Sequence, residues 1–110
     1  GHGTEMRNSS PLNAEKRPGM FLCAGCGQEL FGSETKFDSG TGWPSFWAPK
    51  EDAVGLQADR THLMTRVEVH CSRCGGHLGH VFEDGPEPTG FRYCMNGAAM
   101  KFEAKPETDK

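Results

Sequence analysis

The sequence lacks any long apolar run. Its longest, Met20 to Ala24, has five residues, whereas a membrane-spanning helix needs about twenty. No transmembrane helix is expected. It also lacks a cationic excess. Twelve Lys and Arg face 15 Asp and Glu, for a formal net charge of -3. Nucleic acid is therefore not expected as a partner. Helix-length windows are scarce: residues 49–60 offer one, and Gly55 weakens it. A sixth cysteine is missing too. Five cannot pair off into a complete disulfide framework. Apolar residues make up only 35% of the 110, so one domain with a modest core is expected.

What is abundant points the same way. Fifteen Gly and 7 Pro form a fifth of the chain, against about 12% in an average protein. Such a composition suits short strands joined by tight turns. Residues 1–18 read as a polar N-terminal arm, its start processed, tagged or truncated. Residues 19–104 read as the domain, and 105–110 as a frayed tail. No basic start is followed by an apolar stretch, as a signal peptide would require. Together with reduced cysteines, this points to the cytoplasm.

Within the domain, Gly19–Leu22 leads as a strand into Cys23. Residues 62–70 alternate, with Leu63, Thr65, Val67 and Val69 on one face and Met64, Arg66, Glu68 and His70 on the other. Residues 79–82, 91–95 and 98–102 are further strand candidates. Asp84-Gly85-Pro86 and Pro88-Thr89-Gly90 read as turns.

One pattern occurs twice, Cys-x-x-Cys-Gly, at Cys23 and Cys26 and at Cys71 and Cys74. Two thiolates two residues apart can reach one ion from a tight turn. Two such pairs complete a tetrahedral tetrathiolate, which fits Zn²⁺. The 44 residues between the pairs must fold back so that the ion staples the ends of the domain. Four protein ligands leave no open position, so the zinc is expected to be structural. Redox dithiols or disulfides are the alternative.

The fifth cysteine is Cys94. In a strand, Arg92, Cys94 and Asn96 share a face, while Phe91, Tyr93 and Met95 point into the core. A cation two residues before a thiol favours the thiolate. An amide two residues after it can donate to a bound oxygen or orient a partner. This equips a nucleophile, although a lone cysteine also serves as a small buried hydrophobe. His77 and His80 follow the second pair in a Gly-rich segment. They suit general acid–base work, and equally zinc ligation or a loop. His2, His62 and His70 read as loop or hydrogen-bonded residues. Trp43 and Trp47 lie in a Gly- and Pro-rich turn, where an indole can wall an apolar group or simply cover the core.

Together these segments resemble the methionine sulfoxide reductase B family. The matching pieces are Ser10-Pro11-Leu12-Asn13, Cys-Ala-Gly-Cys at 23–26, residues 33–46 ending Gly42-Trp43-Pro44-Ser45-Phe46, Cys-Ser-Arg-Cys-Gly-Gly-His-Leu-Gly-His-Val-Phe at 71–82, Asp84-Gly85-Pro86 and Arg92-Tyr93-Cys94-Met95-Asn96. They run in order from about residue 10 to 103. The resemblance implies a mainly all-β fold of two antiparallel sheets in a small zinc-stapled, barrel-like domain with short helical turns. It implies that Cys94 attacks the sulfur of methionine-R-sulfoxide and becomes a sulfenic acid. His80 and His77 would deliver protons, with Asn96 and Arg92 beside the thiol and Trp43 and Phe82 walling the methyl. The implied partners are oxidised proteins or peptides and thioredoxin or another thiol reductant, with a monomer as the working form.

Many members of the family carry a resolving cysteine where this chain has Thr41. With four cysteines on zinc and one in catalysis, an external thiol would have to reduce the sulfenic acid. Two other classes of function fit parts of the pattern. A zinc-stapled binding module would have no low-pKa thiol. A zinc-dependent hydrolase using His77 and His80 would tolerate Cys94→Ser.

Overall fold

The alternating segments become short antiparallel strands in a computed structural model that describes residues 11–59 and 66–105. In chain order they are β1 (Gly19–Cys23), β2 (Glu29–Gly32), β3 (Lys36–Phe37), β4 (Ser45–Phe46), β5 (Val54–Asp59), β6 (Arg66–Cys71), β7 (His77–Phe82), β8 (Arg92–Met95) and β9 (Met100–Ala104). Short 3₁₀ turns occupy Pro11–Ala14, Ser33–Thr35 and Gly97–Ala99. The strands form two antiparallel sheets. One has the order β2-β1-β9 and the other β3-β4-β8-β7-β6-β5.

Aromatic side chains join the two sheets. Phe31 of β2 stacks on Phe46 of β4 with ring centroids 4.3 Å apart, and Phe21 of β1 meets Phe46 edge-on at 4.9 Å. Leu30, Val69, Leu78 and Met95 complete the buried centre. This burial supplies the main driving force for the fold. Leu12 of the arm packs against the same cluster. Lys36 Nζ donates to the Asn13 carbonyl at 2.8 Å, and Lys105 N–H donates to the Pro18 carbonyl at 2.8 Å. The two ends of the domain are thereby tied.

The strand ending at Cys23 and the described part of the 62–70 segment form as expected. Positions 62–65 lie outside the described residues, as do 1–10 and 106–110. The strand at 79 begins two residues earlier, at His77. Three details correct the sequence reading. The window expected at 49–60 is not helical over its described residues, 49–59: a turn at 51–52, with Asp52 at φ 60, leads into β5. All six residues of β5 pair with β6, and that ladder outweighs weak local helix preference. A Cβ on Gly55 would stand 2.5 Å from His70 Nε2, so glycine there serves close cross-strand packing. Ala98 and Ala99 belong to a 3₁₀ turn capped by Asn96, and β9 starts at Met100. Finally, Phe91 is 41% exposed and precedes β8. The turn before it fixes its backbone, with Gly85 N–H donating to Gly90 O at 2.9 Å and Phe91 N–H to Thr89 Oγ1 at 3.1 Å.

Candidate active site and metal centre

The two Cys-x-x-Cys-Gly segments fold alike. Cys23 ends β1 and Cys71 ends β6. In each, the glycine after the second cysteine donates to the carbonyl of the first: Gly27 N–H to Cys23 O at 2.8 Å and Gly75 N–H to Cys71 O at 2.9 Å. Both glycines sit at positive φ, 81° and 79°, which costs a residue without Cβ little. The turns bring all four sulfurs within 4.8 Å of one another, a set that could hold one metal ion. Cys23 Sγ lies 3.7 Å from Cys74 Sγ, and Cys26 Sγ lies 3.6 Å from Cys71 Sγ. Gln28 braces the pair of turns, donating to Ala53 O at 2.9 Å and to Ser72 Oγ at 3.0 Å.

Cys94 lies elsewhere, in the middle of the larger sheet. Its register partners are His80 on β7 and Ser45 on β4. His80 in turn faces Glu68 on β6. Directly opposed residues in antiparallel strands share a face, so Ser45, Cys94, His80 and Glu68 form one row across four strands. Above this row is a cavity of about 410 Å³, lined by Cys94, His77, His80, Asn96, Trp43 and Phe82, together with Arg92, Thr41 and Arg66. The His77 and His80 rings meet edge to face, with centroids 5.5 Å apart.

Three polar groups of the lining, Arg92, His77 and Asn96, have partners that set their place. Arg92 forks onto Asp84, with Nε 2.8 Å and Nη2 3.1 Å from the two carboxylate oxygens. Its guanidinium also lies over the Phe82 ring, 4.5 Å from the centroid. Glu68 Oε2 is 2.6 Å from His77 Nδ1. Against an ionised carboxylate, which only accepts, Nδ1 is the donor of this pair. Asn96 is buried, and its Oδ1 accepts from Ala98 N–H at 3.2 Å.

Burial raises the Cys94 pKa above the ordinary thiol value. The Arg92 charge and hydrogen bonds from Thr41 and Arg92 oppose this, while Asp84 adds to it. Arg92 acts in the direction expected from the sequence, but desolvation is the larger effect. Below its raised pKa the thiol is mainly neutral.

Comparison with known proteins places this arrangement. The SelR domain family matches residues 1–104. Peptide methionine sulfoxide reductase MsrB of Methanosarcina mazei is 56% identical over 109 residues, 98% of this chain and 78% of the relative. The protein of the same description from Leptospira interrogans is 54% identical over 102 residues, 92% of this chain and 78% of the relative. The chain belongs to the MsrB family.

Among solved structures, the crystal structure of the Mis18 "Yippee-like" domain matches with a TM-score of 0.66 at 18% identity. It covers 83% of this chain and 100% of that one. At that identity the likeness concerns the fold alone. The MsrB chain therefore shares its two-sheet scaffold with a protein of distant sequence.

All seven residues proposed from the sequence for the MsrB chemistry (Trp43, His77, His80, Phe82, Arg92, Cys94 and Asn96) line the one cavity. The four zinc candidates form the separate thiol cluster. Sequence reasoning missed three neighbours. Glu68 was placed on a polar strand face, but its partner His77 was not foreseen. Asp84 was read only as a turn residue, and Arg66 only as part of an alternation. Strand register brings Glu68 to the site, and the loop after β7 brings Asp84. An acidic residue two positions from a predicted catalytic-face residue on a neighbouring strand would have been the signal to follow.

Proposed function

We propose that this chain reduces methionine-R-sulfoxide, in peptides and as the free amino acid, with Cys94 as the nucleophile. The observation that carries the reading is that one cavity collects the chemical groups. It gathers a thiol, two imidazoles, an anchored guanidinium and two aromatic walls around a space suited to a small side chain. Trp43 and Phe82 hold the methyl group, and the imidazoles stand on the side of the oxygen. A pocket that separates methyl from oxygen reads chirality at sulfur, which accords with one enzyme serving each sulfoxide epimer.

In this reading Cys94 Sγ attacks the sulfoxide sulfur, and its proton leaves by way of His80, its neighbour across the strands. The sulfoxide oxygen is protonated by His77 or His80 and passes to Cys94, which becomes a sulfenic acid as methionine departs. Two electrons come from the cysteine sulfur. Two external thiols then return them, releasing water and a disulfide. Thr41 supplies no resolving thiol. Thioredoxin, glutathione or a glutaredoxin system is the reductant, acting on a monomer in the cytoplasm, with oxidised proteins as substrate and no nucleic acid.

Cys23, Cys26, Cys71 and Cys74 hold zinc. Tetrahedral Zn–S bonds of about 2.3 Å place sulfurs roughly 3.8 Å apart, close to the 3.6 and 3.7 Å separations here. The ion would supply structural cross-linking. A hydrolase built on His77 and His80 finds no support, because those imidazoles face Cys94 and Glu68.

The test uses separated R and S epimers with dithiothreitol or a thioredoxin system. The chain should reduce the R epimer, and Cys94→Ser should lose at least about a thousandfold in kcat while keeping its fold. One turnover without reductant should leave a dimedone-reactive sulfenic acid on Cys94. Retained turnover in the variant, or a disulfide from Cys94 to a zinc cysteine, would overturn the reading.

A further inference from the structure

The loop that carries Thr41 encloses a chain of hydroxyl groups that the proposed reaction leaves without a role. Ser45 is fully buried on β4 beside Cys94. Its Oγ lies 2.8 Å from Ser39 Oγ and 3.1 Å from the Trp43 carbonyl. Ser39 Oγ lies 2.8 Å from Thr41 Oγ1. Thr41 Oγ1 also accepts from Trp43 N–H at 3.3 Å. Thr41 and Cys94 line the same cavity. We propose that Thr41 is a catalytic hydrogen-bond donor to the Cys94 thiolate, and that Ser39 and Ser45 are positioning residues that let its hydroxyl reverse direction with the charge on sulfur.

Proton counting gives two complete arrangements. A hydroxyl has one proton and two lone pairs. When Cys94 is a thiol, its S–H donates to Thr41, Thr41 to Ser39, Ser39 to Ser45, and Ser45 to the Trp43 carbonyl. When Cys94 is a thiolate, Ser45 donates to Ser39 and Ser39 to Thr41. Thr41 Oγ1 then receives both Ser39 and Trp43 N–H, so its own proton has the sulfur as its target. Three hydroxyl rotations convert one state to the other. No proton is transferred along the chain: the thiol proton leaves toward the imidazole side. The longest contact in which a hydroxyl donates, Ser45 to the Trp43 carbonyl, is the one given up. Chains of this kind polarise one another, so the donor at the end gains strength.

The other charged and titratable groups around Cys94 come from every neighbouring element: Arg92 on its own strand, His77 and His80 on β7, Arg66 and Glu68 on β6, and Asp84 in the loop after β7. Thr41 carries no charge at any pH of the test, so its contribution does not vanish with ionic strength. The hydrogen bond from Thr41 lowers the Cys94 pKa, against the upward effect of burial.

The proposal rests on Cys94 being the nucleophile, but its test does not need turnover. In the full metal-loaded chain, iodoacetamide alkylation of Cys94 is followed by peptide mapping from pH 6 to 10. Thr41→Val, which keeps the shape and removes the hydroxyl, should raise the apparent Cys94 pKa by about one unit, leaving about tenfold less thiolate at pH 7. Thr41→Ser should return the parent profile. Raising the salt concentration should leave the Val-to-parent difference unchanged. Superimposed Val and parent profiles would overturn the proposal, and so would equal shifts for Val and Ser, which would mark a loop effect. If the parent fails to reduce the R epimer while these shifts appear, the functional reading falls and the donor role stands.

Discussion

At the scale of single residues, the site sets an anchored cation against a desolvated thiol. Cys94 is pushed up by burial and pulled down by Arg92. Arg92 can act steadily because its fork to Asp84 and its stacking on Phe82 fix the guanidinium. The sign follows directly. A thiol is neutral when protonated, so a raised pKa moves thiolate formation to higher pH, and removing Arg92 moves it further. Arg92→Met should therefore raise the Cys94 pKa by about one unit and slow alkylation at pH 7 by up to about tenfold. The parent rate should climb with pH until the thiolate is fully formed. Alkylation rates between pH 6 and 10 check both statements, and a profile shifted to lower pH in the variant would contradict them. Period-two alternation was enough to put Arg92, Cys94 and Asn96 together. It could not supply Asp84, because a turn decides where that carboxylate lands. It also misdirected Phe91, which the same turn holds outside the strand.

At the scale of elements, the site depends on the approach of β7 to β8. Gly79 faces Met95 in that pairing, one position before the His80–Cys94 pair. A Cβ on Gly79 would stand 2.2 Å from the Cys94 carbonyl oxygen and 2.8 Å from Met95 Cα. Both are backbone atoms, so no side-chain rotation relieves the clash. Gly79→Ala must separate the strands, and overpacking of this kind costs about 2–3 kcal/mol. For a domain of this size the melting temperature should fall by roughly 10 °C. Misplacing His80 against Cys94 should also lower kcat at least about tenfold below the new melting point. Thermal denaturation and steady-state assays of the variant measure the two effects. An unchanged melting temperature would show that the strands tolerate the methyl. Such close approaches explain why β7 was legible as Gly79 to Phe82 and yet two residues short. Glycines near its start masked the strand pattern that the ladder to β6 imposes on His77 and Leu78. The missed strand β5 has the same cause: its six-residue pairing with β6 is a long-range fact, and local preference carries no trace of it.

At the scale of the whole molecule, the thiol cluster joins what the hydrophobic effect alone joins weakly. Cys23 ends a strand of the three-stranded sheet, and Cys71 ends a strand of the six-stranded one. Each turn is also tied to its surroundings, by Ala24 N–H to the Ala99 carbonyl at 2.9 Å and Ser72 N–H to the Ala53 carbonyl at 3.0 Å. An ion held by all four sulfurs would thus clamp the sheets at one end, while Phe21, Phe31 and Phe46 pack them further in. The repeated motif made this clamp legible from sequence, because ligand spacing is a local property. A ligand that binds only the folded chain stabilises it by mass action, roughly 4 kcal/mol when free metal is a thousandfold above its dissociation constant. Stripping the metal under reducing conditions should therefore lower the melting temperature by about 15 °C. Restoring one equivalent of Zn²⁺ should recover it, and Cys74→Ser should resemble the stripped chain. Elemental analysis beside calorimetry checks the stability effect. Well below the lowered melting point, reduction of the R epimer per folded chain should stay within about twofold of the loaded protein. Turnover that vanishes while the fold persists would instead place the ion in the chemistry.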